Sequence, residues 1–231
     1  MLAVLKKELK TYFLTPLGYI YIAVFMALFS IVFYTMIFNA GDSAVYAKFE
    51  YVIANSIVIL TFITPVLTMR MFAEEKTQGT DQLLFTSPRS IVGIVFGKFF
   101  AAAAVILITI ALMMIYFFIL TKFADPSLKV ALVALLGFLL MSLSYISFGM
   151  FASSIAPNQL VAAIITIGFF IITSFFNYTT DSVVSIFSLM GMYQKFPLGI
   201  IALKEVIGYI SFIGLFLLLT MIILQRRKSV K

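Results

Sequence analysis

The chain has 231 residues, of which 63% are hydrophobic and only 11% charged, against about 25% charged in soluble domains. It holds no cysteine and no histidine, which excludes disulfides, thiol chemistry, an imidazole base and any HExxH-type metal site. Its net charge of +7 flanks apolar runs and does not form a soluble basic domain, which argues against nucleic-acid binding.

Uncharged stretches at 11–41, 51–69, 99–121, 130–180 and 206–225 locate the membrane segments, because a span needs about 20 predominantly apolar residues. Residues 2–13 precede them and read as an amphipathic helix. At about 100° per residue, Leu2, Leu5, Leu9, Tyr12 and Phe13 fall within one arc, with Lys6, Lys7 and Lys10 beside it. That arrangement fits a helix lying in the membrane interface, separated from the first span by Thr15-Pro16. The first span, near 16–38, exceeds the apolar core of a signal peptide (about 7–15 residues), so it is expected to remain uncleaved.

The second span, near 51–69, carries Asn55, Ser56, Thr61 and Thr64, and Pro65 is predicted to kink it. The connection at 70–98 is the densest charge cluster in the chain, yet it holds Leu83, Leu84 and Phe85 in a row. Gly79 can end one short helix, and Thr80-Asp81 can cap the next, which stops at Ser87-Pro88. Adjacent apolar residues in a charged connection suggest a helix built to enter a pocket on another protein. The alternative is that the leucines tuck under the chain's own bundle. Gly97-Lys98 reads as a helix start whose lysine snorkels to the headgroups.

The third span lies near 97–120 and the fourth near 130–152. The uncharged stretch 130–180 is too long for one span, and Ala156-Pro157-Asn158-Gln159 supplies a turn before a fifth, near 159–178. Residues 180–203 are apolar but broken by Gly191, Lys195, Pro197 and Gly199, which reads as a re-entrant outer hairpin. The sixth span lies near 205–224. Continuous apolar runs without alternation exclude a barrel, so the fold class is an all-α integral membrane protein, with 1–231 forming one transmembrane domain.

Lys6, Lys7, Lys10, Arg70, Lys76, Arg89, Lys98, Arg226, Arg227, Lys228 and Lys231 fall on one side of this arrangement. Lys48, Lys122, Lys129, Lys195 and Lys204 fall on the other, and this asymmetry predicts both termini and the 70–98 connection in the cytoplasm. The resulting basic face suits anionic lipid headgroups.

No enzyme constellation is present. The GxxxxGK[ST] phosphate loop is missing, so any ATP hydrolysis must occur on another chain. The span interiors hold no Asp, Glu, Lys or Arg, which argues against a proton-driven carrier. Asn55, Ser56, Thr61, Thr64, Ser144 and Ser147 are candidates to line a substrate path, although such residues also bridge helices.

MRMFAEEKTQGTDQLLFTSP at 69–88, GK at 97–98, TPLGY at 15–19, FASSIAPNQLVA at 151–162 and FLLLT at 216–220 form a recognisable series. In this order they resemble the permease subunit of type-2 ABC (ABC-2) exporters, and within them the GldF/NosY-like group. The match departs at Asp81-Gln82, where a Glu-Leu or similar pair is usual. The resemblance implies six spans in the cell (plasma) membrane and a second permease copy or homologous permease. It also implies cytoplasmic ATPase subunits that bind ATP and Mg, with no cofactor in this chain. Glu74, Glu75, Thr80, Asp81, Leu83 and Leu84 would then belong to a coupling helix facing the ATPase. A different class stays open: a non-transporting membrane component that anchors an ATPase and transmits conformational change to extracytoplasmic partners.

Overall fold

A computed structural model describes residues 2–37, 48–79, 90–123, 125–176 and 188–230, and among them every regular element is helical. The helices are α1 (Leu2–Leu14), α2 (Leu17–Ile37), α3 (Phe49–Thr68), α4 (Arg70–Thr77), α5 (Ile91–Leu120) and α6 (Leu128–Ile155). They continue with α7 (Gln159–Phe175), α8 (Leu189–Tyr193), a 3-10 turn at Phe196–Leu198, and α9 (Leu203–Val230). Five segments are long and apolar enough to cross a membrane: Leu17–Ile37, Phe49–Thr77, Ile91–Leu120, Leu128–Ile155 and Leu203–Arg227. The protein is therefore a multi-pass membrane protein. The fifth expected span, α7, is shorter at 17 residues, or about 26 Å at 1.5 Å per residue.

α3 and α6 form the centre of the bundle and bury most of their surface, whereas α2 and α9 lie at its edge. Small residues permit the tightest crossing. Gly149 of α6 lies against Thr68 of α3, where an added Cβ would collide with the Thr68 Oγ1. Close backbone approach through small residues is how membrane helices gain packing contacts without a hydrophobic force between them.

α1 forms as its periodicity predicts, but it buries a different shoulder from the apolar arc. Val4 and Tyr12 are buried, Leu9 and Phe13 only partly, and Lys6, Lys7 and Lys10 are exposed. Val4 rests on Gly97 of α5, and the Tyr12 hydroxyl donates to the Leu67 carbonyl of α3 at 3.4 Å. α1 thus lies across the ends of two long helices. We call this the basic end of the bundle.

α3 contains Pro65, which cannot donate to the Thr61 carbonyl, and α3 hands over to α4 at Met69, whose N–H donates to the Pro65 carbonyl at 2.8 Å. α4 restarts at once and ends at Thr77, followed by Gly79 at φ +68°, a left-handed conformation that favours glycine. At the end of α6 the turn stands at 156–158, where the Asn158 Oδ1 caps α7 by accepting from the Val161 N–H at 2.9 Å.

At the opposite end, α8 and the 3-10 turn fold into the bundle. Phe196 is fully buried against Gly137, nine residues into α6 and so about 14 Å from that helix's start. Hydrogen bonds fix this wedge: Tyr193 donates to the Ala134 carbonyl at 3.3 Å and Tyr209 to the Leu189 carbonyl at 2.7 Å.

Candidate functional site

α4 stands where four helices meet, and its first turn leaves backbone N–H groups that its own helix cannot satisfy. Ser153 of α6 supplies the missing partner. Its Oγ accepts from the Phe72 and Ala73 N–H groups, each at 3.0 Å, and donates to the Met69 carbonyl at 3.0 Å. One buried hydroxyl thus splices the break between α3 and α4 onto the end of α6. Lys76, one turn later, donates to the Ser154 carbonyl at 2.5 Å and the Ala156 carbonyl at 2.7 Å. Carbonyls at a helix C-terminus carry the negative end of its dipole, so an ammonium is favourable there.

The other side of α4 is held by charge. Lys98 of α5 is only 3% exposed and therefore does not snorkel to the headgroups. Its Nζ donates to the Glu75 Oε1 of α4 at 2.9 Å and to the Glu8 Oε1 of α1 at 3.1 Å. It also lies 5.2 Å from the centroid of the Phe72 ring. A buried ammonium without partners would cost several kcal/mol, so two carboxylates arriving from different helices are what make this burial tolerable. The helix start expected at Gly97-Lys98 also lies further back, because α5 begins at Ile91, capped by the Ser90 Oγ accepting from the Gly93 N–H at 3.2 Å.

Of the six expected coupling residues, Glu74 and Glu75 are on α4, and they face apart. Glu75 is turned in to Lys98, while the partly exposed Glu74 accepts from the Gln78 Nε2 at 3.3 Å. Thr80, Asp81, Leu83 and Leu84 lie outside the described residues.

The expected path-lining residues divide sharply. Ser56 donates to the Val52 carbonyl at 2.7 Å, Ser144 to the Leu140 carbonyl at 3.0 Å and Ser147 to the Ser144 carbonyl at 2.8 Å, all buried. Thr61 and Thr64 are buried too, beside the hydroxyls of Tyr145 and Tyr21. Asn55 alone is exposed, its Nδ2 donating to the Tyr51 carbonyl at 2.9 Å. It shares its face of α3 with Val58 and Phe62, both 54% exposed.

Residue type and sequence position did not single out Glu8, Lys76 or Ser153 for the joint. A signal for Glu8 existed, since it is the only acid among the lysines of α1 and shares a helical face with Val4 and Tyr12. Among the described residues, no three His, Cys, Asp or Glu side chains come together to hold a metal ion. The arrangement at α4 is mechanical: it ties four helices to one short segment. A family model described as ABC-2 family transporter protein matches residues 38–225. A search of curated proteins gave no match.

Proposed function

Because the chain belongs to the ABC-2 transporter family, we propose that it is the membrane-spanning permease of an ATP-powered exporter of the GldF/NosY-like group. The observation that carries this reading is α4. A short helix is bound by Ser153 and Lys76 to α6 and by Lys98 to α5 and α1, and it leads directly into the 80–89 segment with Leu83 and Leu84. A push delivered to that segment by a separate ATPase would reach several spans together. ATP and Mg would be bound by that ATPase, whose two states drive transport only through their different affinities for two states of the permease.

The basic end would face the cytoplasm of the plasma membrane, following the asymmetry of lysine and arginine. α7 would be the fifth of six spans, and the α8 wedge a re-entrant hairpin in the outer leaflet. The path would run between two permease copies and not through one bundle, because the buried serines and threonines fill helix contacts whereas Asn55, Val58 and Phe62 face outward. An amide facing hydrocarbon is unfavourable, which supports a protein or aqueous surface opposite Asn55.

Reconstitution with the cognate ATPase in vesicles tests the function. ATP-dependent movement of an amphipathic solute is the expected result, whereas stimulated hydrolysis with no solute moved would favour an anchoring and signalling role. Topology is tested separately by Ser229→Cys in this cysteine-free chain. An impermeant thiol reagent should fail to label it from outside intact cells, and labelling would overturn the six-span arrangement.

A further inference from the structure

Lys98 joins three elements that the chain separates widely. Glu8 is 90 residues away and Glu75 is 23. α1 also packs along α5, with Val4 on Gly97, and reaches α3 through the Tyr12 hydroxyl at 3.4 Å, so its hold on α5 is broad and apolar as well as ionic. The charged contacts are shorter, buried and directional, and charge-assisted hydrogen bonds are roughly twice as strong as neutral ones. α4 is linked covalently to α5 only through the connection 78–90, and to α1 only through two helices. Lys98 therefore gives α4 a charged contact with α5, and the same ammonium reaches Glu8 of α1.

The geometry assigns Lys98 as a positioning residue for ATP-driven transport. It clamps α4 and α1 to α5 about two turns into that helix, so that the N-terminal helix and the third span follow the coupling segment as one body. This rests on the permease reading above and adds the route of the motion. The push leaves α4 by two exits, Ser153 and Lys76 into α6 and Lys98 into α5 and α1. The N-terminal helix, which shares no stretch of chain with the coupling segment, becomes part of the moving unit.

Removing Lys98 alone would take the ammonium from the partly buried Glu8 and Glu75 carboxylates, and Lys98→Met would be expected to misfold in part. The informative variant is the neutral set Glu8→Gln, Glu75→Gln, Lys98→Met, because replacing a buried ionic group as a whole is often close to neutral for stability. In detergent its size-exclusion profile should match the wild type. Amide exchange across residues 4–14 should accelerate about tenfold while α7 is unchanged, since only the clamp of α1 has been released. In complex with the cognate ATPase, stimulation of hydrolysis should fall at least about fivefold in kcat with KM for ATP unchanged, the size of an ordinary coupling term. Lys98→Arg, which can still meet both carboxylates, should keep most of the stimulation.

Unchanged exchange in α1, or full stimulation by the neutral set, would overturn the assignment while leaving the permease reading intact. A wild-type chain that stimulates no ATPase would instead remove the permease reading, and the inference with it. A purely structural ion cluster would show as lowered folded yield with normal stimulation per folded molecule, which also overturns the positioning role.

Discussion

Lys98 and Phe196 are both almost wholly buried, one at each end of the bundle, and they hold their surroundings by different forces. Around Lys98 the contacts are few, charged and directional, and each runs to a different helix. Around Phe196 they are broad and apolar. The ring fills the space above Gly137 and lies 6.1 Å from the Tyr193 ring and 6.3 Å from the Tyr209 ring. The ion pair near this end, Lys195 to Glu205, has its lysine half exposed and contributes little by comparison. Packed rings resist displacement evenly in all directions. A small set of directional bonds holds only along its own axes, so the two ends are secured in physically different ways.

The largest effect is expected from Leu84→Asp, in the segment that joins the two anchors of the basic end. If Leu84 fills a pocket on the ATPase, a carboxylate there is an unpaired charge in a desolvated contact. Several kcal/mol would be lost, on the order of a 100-fold or greater drop in affinity. The permease alone should keep its size-exclusion profile, and ATPase co-purification should fail. Normal co-purification of well-folded protein would remove Leu84 from the contact, and loss of folded yield would instead place it under its own bundle.

Phe196→Ala should show the reverse pattern. Emptying this site costs about 3 kcal/mol or more of stability, because the surrounding α6 and α9 can collapse only in part. Thermal unfolding in detergent should report it, while ATPase co-purification of the folded fraction stays normal. A variant that is stable but fails to assemble would break the contrast between the two ends.

Ser153→Ala is the smallest change and the finest test of the basic end. It leaves the Phe72 and Ala73 N–H groups and the Met69 carbonyl without the hydroxyl that joins them. The expected cost is about 1–3 kcal/mol. The loss should be local, read as faster amide exchange over residues 70–77 with the Phe196 wedge unaffected.

The spans were legible because each is dictated by its own composition. Expected segments at 16–38, 51–69 and 130–152 correspond to helices at Leu17–Ile37, Phe49–Thr68 and Leu128–Ile155. α5 starts six residues before the expected 97, because Gly93 and Gly97 continue the helix from a Ser90 cap. Of the expected site residues, Glu74 and Glu75 fall on α4, whereas Leu83 and Leu84, which stand out from their charged background, lie outside the described residues. The partners of Lys98 were not legible, since nothing near it in the chain announces a carboxylate 90 residues away.

The sequence by itself determined that this is a helical, multi-pass membrane protein, that its basic residues are unevenly spread about the spans, and where the described spans begin and end to within a turn or two. Those properties follow from the hydropathy of contiguous segments and from local capping, which are summed along the chain. Which shoulder of α1 is buried, that Lys98 is enclosed and not snorkelling, and that Ser153 splices α3 to α4 were decided only by tertiary structure. The apolar arc of α1 ran over Leu2, Leu5, Leu9, Tyr12 and Phe13; Tyr12 is buried, but Leu9 and Phe13 are only partly so, and Val4 over Gly97 and Glu8 against Lys98 bury the neighbouring shoulder. A buried charge must find its counter-charge wherever the fold brings one, and that requirement is settled between helices and not within them.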